Sequence, residues 1–539
     1  MNFPIGEDKI IAIDLETTGL CWWRHKAFLV SYASSKGNEA YPITSEIIEE
    51  LRVILADPTI KKVGHNIKFD LAFLRNFGIT YWTNIHDTAL IYHLINDKGE
   101  VALKSLSKTQ LRASAGDNQA ELKDFMRKHK LQTYDQVPVD ILYPYAKMDA
   151  QLTYELFIKA SKTNFFNSFD RLYTKEMQLV DRLMKIEQRG MLVDKGKWEE
   201  LKEQYSFNRV KAMETCMETL GVINLNSDEE LAEALQKSCG IKITEKGKNG
   251  KPLTNKMILQ RNDHPIIAQI LKFREYDKIS SIYFSDKFID MLDGDVLHPT
   301  FNQVRTRTGR LACSEPNLQN VPKDALLREI FKAREEFIGF DFNQLELRIF
   351  GYYTKSVDLK KMFEEDKDFH DETAKLMGVE RATAKNINFG ILYGMGVDGF
   401  TKRHGGIKEE VDKLFKRYYA TFPMIRGLRN KVYETIQSSG CIRTVYGRIL
   451  HHTPDEAYKG LNSLIQSTAG DMAKFSLLNE VVSLAIEKGW VINHVHDEVL
   501  IDKALPDSAI KEICEGLEKW VYPMRVTVTR YNQCWRKEK

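Results

Sequence analysis

Short apolar runs typical of β-strands alternate with helical patterns in the first part of the chain. The first run is Ile-Ile-Ala-Ile at residues 10–13, and a helical stretch follows Gly64. Strands that alternate with helices predict an α/β unit. We therefore predict a first domain over residues 1–166.

The pattern becomes mainly helical, with charged faces, over residues 167–295. After His298-Pro299, strand-like segments near 337–342 and 490–502 flank a helix-rich stretch from about 355 to 440. We predict that the two flanking segments share a sheet and that the helices are inserted between them. Residues 167–539 then form the second domain.

Each of these two strand-like segments leads to an aspartate. Asp341 follows Phe-Ile-Gly-Phe, and Asp497 follows His-Val-His. Two-metal phosphoryl transfer requires such carboxylates, because they must share a pair of Mg²⁺ ions, and Phe342 could add a backbone carbonyl. A single aspartate at the end of a strand is more often a turn residue, so either one alone predicts little.

Between the two aspartates, four residues recur at every fourth position of a predicted helix: Arg381, Lys385, Phe389 and Tyr393. The stripe lies along one side of the helix. The two cations suit a triphosphate, and the phenylalanine offers a flat apolar face to a sugar or base. An isolated stripe of this kind is usually an amphipathic helix with solvated cations. Combined with the aspartates, it predicts a nucleotide polymerase.

The first domain contains a second group of acids. Asp14 and Glu16 follow the first apolar run, and residues i and i+2 of a strand face the same side. Two further segments, Asn66 to Asp70 and Tyr145 to Asp149, each place a polar residue four positions before an aspartate, which predicts one helix face for each pair. These four acids could share two metal ions.

Composition narrows the class of protein. The chain has 539 residues with 43% hydrophobic content, which is enough for several ordinary domains. Seven scattered cysteines without a CxxC pair argue against a disulfide framework and a structural zinc site. The formal charge of +3 predicts no affinity for a polyanion by itself, so local basic clusters must supply any nucleic-acid surface. No secretion signal and no long apolar run is present, which predicts a cytoplasmic, non-membrane protein.

Three segments of the chain resemble the motifs of family A DNA polymerases, the bacterial DNA polymerase I class. In chain order they are DFNQLELR, RxxxKxxxFxxxYG and HDE. The resemblance extends over nearly the whole chain. It implies an RNase H-like 3′-5′ exonuclease domain followed by a right-hand polymerase, with an antiparallel-sheet palm and helical fingers and thumb. The implied ranges are exonuclease 1–166, thumb 167–295, palm 296–352 and 441–539, and fingers 353–440.

The same resemblance implies roles for residues of the polymerase site. Asp341, Asp497 and the Phe342 carbonyl are expected to bind two Mg²⁺ ions, for which Mn²⁺ could substitute. Lys385 is expected to protonate the leaving pyrophosphate. The residues expected to bind the incoming nucleotide are Arg381, Lys385, Phe389, Tyr393, His370, Glu346 and Gln344. Glu346 is expected to crowd the sugar 2′ carbon, so that deoxynucleotides are selected, and Phe389 is expected to disfavour dideoxynucleotides.

DNA contacts are also implied by similar segments. The residues expected to contact primer-template DNA are Arg310, Asn317, Gln319, Asn320, Arg348, Asn462, Gln466 and His496. Their guanidinium and amide groups suit phosphates and the minor-groove acceptors that all base pairs share. This chain departs from the pattern at Tyr458, where many bacterial members have an arginine. One minor-groove contact is therefore in doubt.

The acids of the first domain resemble the DEDD proofreading exonuclease of the same family, in the subtype with a tyrosine in its last motif. Asp14, Glu16, Asp70 and Asp149 are expected to bind two metals. Tyr145 and Glu16 are expected to orient the attacking water. Because none of the acids is missing, we predict active 3′-to-5′ proofreading.

The chain is similar to the large fragment alone, so we expect no 5′ nuclease domain, as in many phage enzymes. Its expected partners are primer-template DNA and deoxynucleoside triphosphates, and we expect a monomer. Two alternatives remain open. A single-subunit RNA polymerase would share the aspartates and the cationic helix, and a DNA-end-binding scaffold would have a silent polymerase half. Glu346, Phe389 and the complete acid set argue against the first alternative.

Overall fold

The computed structural model describes residues 3–112, 116–247, 249–323 and 326–536. Its contacts divide the chain into two units. The first contains residues 1–189, 301–313 and 338–529, and the second contains residues 190–300, 314–337 and 530–539. Both proposed catalytic centres of the sequence analysis therefore lie in the first unit.

The N-terminal part of the first unit is a five-stranded mixed sheet. Its strands are β1 (Ile10–Thr17), β2 (Ala27–Ser34), β3 (Gly37–Pro42), β4 (Lys61–Gly64) and β5 (Ile85–Asp87). Their order is β3-β2-β1-β4-β5. The strands β1, β2 and β3 are antiparallel, whereas β4 and β5 run parallel to β1. Strand β1 is central and almost fully buried, as its apolar run predicts.

Helices cover this sheet: α1 (Ser45–Ala56), α2 (Ile67–Leu74), α3 (Thr88–Ile95), α4 (Leu103–Leu106), α5 (Gly116–His129) and α6 (Val139–Ser161). Helix α6 packs on β1 and β2, so its buried face lies beside the acids of β1. The long helix α7 (Phe165–Arg189) then leads out of this part with a strongly amphipathic pattern. The predicted α/β unit is confirmed.

The second unit consists mainly of helices. Its elements begin with β6 (Met191–Val193), α8 (Lys195–Leu220), α9 (Asp228–Cys239), α10 (Lys256–Leu259), α11 (Pro265–Tyr283), α12 (Asp286–Asp290), β7 (Leu292–Asp293) and β8 (Val296–Leu297). Helices α8 and α11 pack along each other, and an apolar cluster that includes Cys216, Leu235 and Ile270 fills the end of this arm.

The remaining elements form the C-terminal part of the first unit, and β11 and β16 contribute to both units. The strands are β9 (Thr300–Asn302), β10 (Ala312–Ser314), β11 (Phe331–Phe342), β12 (Cys441–Arg443), β13 (Ile449–His451), β14 (Val491–Val495), β15 (Glu498–Asp502) and β16 (Val526–Cys534). The order β14-β15-β11 confirms that the two predicted flanking segments share a sheet.

Ten helices accompany these strands: α13 (Leu345–Thr354), α14 (Val357–Glu364), α15 (Phe369–Met377), α16 (Arg381–Leu392), α17 (Val397–His404), α18 (Lys408–Thr421), α19 (Pro423–Ser439), α20 (Gly460–Phe475), α21 (Glu480–Glu487) and α22 (Asp507–Glu518). Helices α14 to α19 form the predicted insertion between the strands. No helix in the described part of the chain is both long and apolar enough to cross a membrane.

A fully buried charge cluster connects α7 to the C-terminal part of the first unit. Asp471 of α20 accepts hydrogen bonds from Arg448 Nε (3.1 Å) and Nη2 (2.7 Å). Glu176 of α7 accepts from the same guanidinium and from Lys474 Nζ, the latter at 2.5 Å. Burial opposes ionisation, yet Lys474 and Arg448 hold the pKa of Glu176 below its ordinary value. The two acids and two bases thus compensate each other's charge.

A second polar connection joins the loop after α3 to the C-terminal part. The buried carboxylate of Asp97 accepts hydrogen bonds from Arg307 Nε (3.0 Å), the His451 backbone N–H (2.9 Å) and His451 Nδ1 (2.8 Å). Beside it, Lys98 pairs with Glu456 at 2.8 Å. These contacts attach the N-terminal sheet to the segment that carries Arg310.

The buried cluster gives a stability prediction. We expect Asp471→Ala to lower the free energy of unfolding by about 3–5 kcal/mol, because it leaves Arg448 and Lys474 buried with one carboxylate between them. Urea denaturation followed by circular dichroism measures the change. As a control, Asp412→Ala breaks the exposed pair with Lys416 and should cost less than about 1 kcal/mol. Equal effects of the two substitutions would contradict the prediction.

Candidate active sites

A backbone hydrogen bond brings the two predicted polymerase aspartates to the same sheet edge. Strands β14 and β15 form a hairpin in which Val495 pairs with Glu498, so His496 and Asp497 form the turn. The N–H of Phe342, at the end of β11, donates to the carbonyl oxygen of Asp497 at 3.2 Å. Asp341, near the end of β11, therefore lies close in the fold to Asp497, in the turn of the neighbouring hairpin, although they are far apart in sequence.

A cleft with a volume of about 250 Å³ lies beside Asp497. It is lined by residues from the segment before β10, from α13, α15, α16 and α20, and from the hairpin turn. Among the predicted site residues, those that line it are Arg310, Gln344, Glu346, His370, Phe389, Tyr393, His496 and Asp497. The structure thus brings together eight of the residues that the sequence motifs indicated, whereas Asp341, Arg381 and Lys385 do not line the cleft.

Glu346 is held in the cleft from two sides. Arg310 Nη2 donates to its carboxylate at 2.5 Å, and the Tyr393 hydroxyl donates to its other oxygen at 3.4 Å. Burial and the nearby Glu346 charge raise the pKa of Tyr393 to about 12, so the phenol remains a donor. The contact between Arg310 and Glu346 could not be predicted from the motifs, which assign the two residues to different ligands.

Helix α16 presents the predicted stripe. Lys385 is exposed, and Arg381 pairs with Asp368 at 2.9 Å and Asp371 at 2.7 Å. Further along, the rings of Phe389 and Tyr393 stack with centroids 5.7 Å apart. The cations therefore lie at the solvent end of the stripe and the aromatic rings at the cleft.

The residue after this stripe has to be glycine. Gly394 has φ +74°, and a Cβ there would lie 2.3 Å from the carbonyl oxygen of Tyr458. Any side chain would push the end of α16 away from the segment before α20. This close approach explains the Tyr-Gly pair of the motif.

His370, on α15, is oriented by residues that the sequence analysis did not single out. Asn388 Nδ2 donates to His370 Nδ1 at 3.0 Å, and the Tyr418 hydroxyl donates to Asn388 Oδ1 at 2.9 Å. Burial lowers the pKa of His370, so the ring is neutral near pH 7. Because Nδ1 accepts, the ring proton lies on Nε2, which can donate to a ligand.

Gln344 and Asp368 support the same region. Gln344 precedes α13 in a left-handed conformation, and its amide donates to Asp368 at 3.3 Å. Asp368 also caps α15 by accepting from the His370 backbone N–H at 2.7 Å. The carboxylate of Asp368 therefore connects α13 with α15, and it also pairs with Arg381 of α16.

The predicted DNA contacts are divided between the two units. In the first unit, Asn462 and Gln466 lie one turn apart on α20 and are partly buried, and His496 is exposed. In the second unit, Asn317 accepts from the Gln319 backbone N–H at 3.0 Å, Asn320 is exposed and Gln319 is buried. Tyr458, at the position where the pattern departs, is exposed.

The structure corrects the predicted role of Arg348. Its side chain is 1% exposed, and its guanidinium donates to the carbonyl oxygens of Asn343 (3.0 Å), Phe363 (3.1 Å) and Pro523 (3.1 Å) and to Asp366 (2.7 Å). These four hydrogen bonds are all made to groups of the protein itself. Arg348 therefore stabilises the connection between α13 and its neighbours, and the predicted DNA contact is wrong.

In the first domain, β1, α2 and α6 assemble the N-terminal acid cluster, which we define as Asp14, Glu16, Asp70 and Asp149. The N–H of Leu15, between the first two acids, donates to Asp70 Oδ1 at 3.1 Å. Asp149 lies one helical turn after Tyr145 on α6, as predicted. The other predicted helix pair is wrong, because α2 begins at Ile67 and Asn66 precedes it in a left-handed conformation.

Burial changes the protonation of this cluster. Desolvation raises the pKa of Asp14 to about 7, and desolvation together with neighbouring acids raises the pKa of Glu16 and Asp70 well above their ordinary values. Desolvation and the same acids also raise the pKa of Tyr145, so its hydroxyl stays protonated. The cluster therefore favours a cation, which would compensate its charge.

A lysine already supplies one positive charge. Lys104, on α4, forms an ion pair with Asp149, and its Nζ lies 4.7 Å from the centroid of the Tyr145 ring. It also lowers the pKa of Asp14 and of Glu16 against the effect of burial. Sequence reasoning missed Lys104 because nothing in its surrounding residues distinguishes it from other lysines of the chain.

In the ranges that the structure describes, no three His, Cys, Asp or Glu side chains already converge as metal ligands. At the cleft, two aspartates with a backbone carbonyl nevertheless fit Mg²⁺, which binds to one or two carboxylates and completes its coordination with waters and substrate phosphates. In the N-terminal acid cluster the four carboxylates fit divalent cations chemically, with Lys104 at one of the oxygens.

Comparisons with known proteins also distinguish the N-terminal part, which contains the acid cluster, from the part that contains the cleft. A family model described as DNA polymerase family A matches residues 195–528, and one described as 3′-5′ exonuclease matches residues 5–162. DNA polymerase I of Pseudomonas aeruginosa is 28% identical over 95% of this chain, and that of Borreliella burgdorferi is 29% identical over 96%. The chain spans 61% of the length of each of these curated relatives.

A solved structure has the same fold. The POL domain of Pol1 from M. smegmatis, in complex with DNA primer-template and dNTP, superposes with a TM-score of 0.83 at 22% identity and covers 99% of both chains. The thermostable DNA polymerase I of Thermus aquaticus is 32% identical over 56% of this chain and 40% of its own length. The predicted arrangement of an exonuclease domain and a right-hand polymerase is thereby confirmed.

The raised pKa values predict how metal-free stability depends on pH. Folding raises the pKa of Asp14 from about 4 to about 7, so the folded state keeps a proton that the unfolded chain has released. This contribution to stability is present below the unfolded pKa and is lost as pH rises towards the folded pKa. In EDTA, the melting temperature of D14N should therefore fall less between about pH 5 and pH 7.5 than that of the unchanged protein.

The control for this measurement is Glu434→Gln, which removes an exposed acid of α19. Its melting temperature should follow that of the unchanged protein at every pH. If D14N behaved like this control, the desolvation of Asp14 would not contribute to stability.

Proposed function

The chain belongs to DNA polymerase family A, and we propose that it extends a primer along a DNA template and trims the same 3′ end at a second site. The observation that carries the proposal is the backbone bond between Phe342 and Asp497. This hydrogen bond holds the carboxylates of Asp341 and Asp497 next to a cleft. The cleft contains the acid that we propose to select the sugar, a neutral histidine and a pair of stacked aromatic rings. The primer-template and dNTP in the M. smegmatis structure support DNA and nucleotides as the partners.

At the polymerase site, Asp341, Asp497 and the Phe342 carbonyl would hold Mg²⁺, which when bound activates a primer hydroxyl and neutralises phosphate charge. Lys385 and Arg381 attract the triphosphate, and the arginine is kept extended by Asp368 and Asp371. His370 donates from Nε2 to a phosphate oxygen. Lys385 is exposed, and in this proposal it gives a proton to the departing pyrophosphate.

The sugar and base are recognised by the apolar end of the cleft. Phe389, stacked on Tyr393, offers its face to the nucleotide. Glu346 is fixed by Arg310 and Tyr393, so it cannot move aside for a 2′ hydroxyl. A ribonucleotide would meet both a steric clash and the loss of these hydrogen bonds, and the product is therefore DNA.

DNA is held by groups around the cleft. Asn462 and Gln466 present amides from one face of α20, and His496 adds an exposed ring at the hairpin turn. We propose that these groups contact the minor groove near the primer end, where all base pairs present acceptors. In the second unit, Asn317, Gln319 and Asn320 remain proposed contacts, of which Asn320 is the exposed one.

At the exonuclease site, Asp14, Glu16, Asp70 and Asp149 would hold divalent cations. The protonated Tyr145 hydroxyl and the Glu16 carboxylate orient the water that attacks the terminal phosphodiester. We retain the domain boundaries 1–166 and 167–539, and the thumb, palm and finger ranges, as part of the proposal. We also retain a cytoplasmic monomer, because the substrates and relatives are those of bacterial DNA synthesis.

Separate variants should inactivate one reaction each. Asp497→Ala should lower primer extension by about 10³-fold or more and leave degradation of single-stranded DNA near its original rate. Asp149→Ala should do the reverse. Primer-template assays with and without nucleotides measure both reactions. If either substitution abolished both activities in a folded protein, the assignment of two independent sites would be wrong.

Glu346 gives a test of sugar selection. Glu346→Ala should raise the ratio of ribonucleotide to deoxynucleotide kcat/KM by about 100-fold, because the space beside the 2′ carbon opens. Glu346→Gln keeps the size of the side chain and is the matched control, which should retain most of the discrimination. Single-nucleotide incorporation kinetics measure the ratios. Equal ratios in the alanine and glutamine variants would exclude the steric explanation.

A further inference from the structure

Lys104 lies inside the exonuclease site although no motif of the sequence includes it. It projects from α4 to the N-terminal half of α6, where it forms the ion pair with Asp149 and lies over the Tyr145 ring. Its side chain is only 14% exposed and that of Asp149 is 10% exposed. A contact this well shielded from water is a defined feature of the site and not a passing surface pair.

Lys104 competes with a divalent cation for Asp149. Its ammonium group takes Oδ1, one of the two carboxylate oxygens that a divalent cation would bind, and in the described residues no three His, Cys, Asp or Glu side chains converge as metal ligands. Without Lys104, four acids would share one partly buried volume. A single ammonium compensates part of that charge, whereas two divalent cations would compensate all of it.

We propose that Lys104 is an internal cation of the exonuclease site, which holds Asp149 in the metal-free protein and must release it before a divalent cation binds there. The inference rests on the proposed exonuclease function. Lys104 acts through Asp149 and is therefore a positioning residue. It keeps the four acids folded together before metal binds, and it opposes metal binding by occupying one ligand.

This arrangement has two opposite consequences. Removal of the ammonium leaves the acids with less compensation, so the metal-free protein becomes less stable. The same removal frees Asp149, so divalent cations bind more tightly. A lysine with a purely structural role would produce the first effect alone, and the second effect therefore distinguishes the proposal.

The test measures Mn²⁺ binding to the full-length chain by the electron paramagnetic resonance signal of free Mn²⁺. Every protein carries Asp341→Asn and Asp497→Asn, so that the polymerase site contributes little. Lys104→Met should bind Mn²⁺ about tenfold more tightly than this background protein. Lys104→Arg keeps the positive charge and should bind Mn²⁺ as the background protein does. Lys108→Met, an exposed lysine just after α4, is the matched control and should change nothing.

Melting temperatures give the second measurement and check folding. In EDTA, Lys104→Met should melt several degrees below the background protein, and in saturating Mn²⁺ the difference should disappear. If the methionine variant does not fold, Lys104→Gln is measured in its place. Equal or weaker Mn²⁺ binding in a folded variant without the ammonium overturns the proposal.

A further variant separates this result from the proposed function. If Asp14→Ala with Asp70→Ala abolishes Mn²⁺ binding but Lys104→Met has no effect, the acids hold the metal and only the role of Lys104 is wrong. If Mn²⁺ binding survives loss of both acids, the proposed exonuclease metal site is itself wrong, and the inference about Lys104 fails with it.

Discussion

The pairing of the β14–β15 hairpin with the end of β11 is the constraint on which the polymerase site depends. Backbone hydrogen bonds between neighbouring strands fix the relative position of the strands, because each bond joins a particular donor to a particular acceptor. The bond from Phe342 to Asp497 joins the end of β11 to the hairpin turn. Loops alone could not keep two mutually repelling carboxylates together, whereas a sheet edge can.

The two sites balance negative charge in different ways. In the cleft, Arg310 pairs with Glu346, and the proposed function assigns Asp341 and Asp497 to cations that arrive with substrate. In the N-terminal acid cluster, burial raises the pKa of three acids and Lys104 neutralises the fourth. The buried group of Glu176, Arg448, Asp471 and Lys474 is balanced within the protein and needs no ligand.

Sequence predicted the features that depend on neighbouring residues. The strands before Asp14, Asp341 and Asp497 follow from apolar runs, and helix α16 follows from its four-residue period. The structure also depends on packing between distant segments, which no local pattern contains. The contacts of Lys104 with Asp149 and of Asn388 with His370 belong to this class. Arg348 was misassigned because a motif arginine looks the same whether its guanidinium faces DNA or backbone carbonyls.

The hydrogen bonds to Asp97 affect how a DNA strand can move between the two proposed sites. Three hydrogen bonds to one buried carboxylate, with the Lys98 pair beside it, attach the nuclease sheet firmly to the segment that carries Arg310. In the proposed function, this attachment leaves a mismatched terminus to reach the second site by its own movement. The strand must therefore unpair at its last base pairs before it can be trimmed.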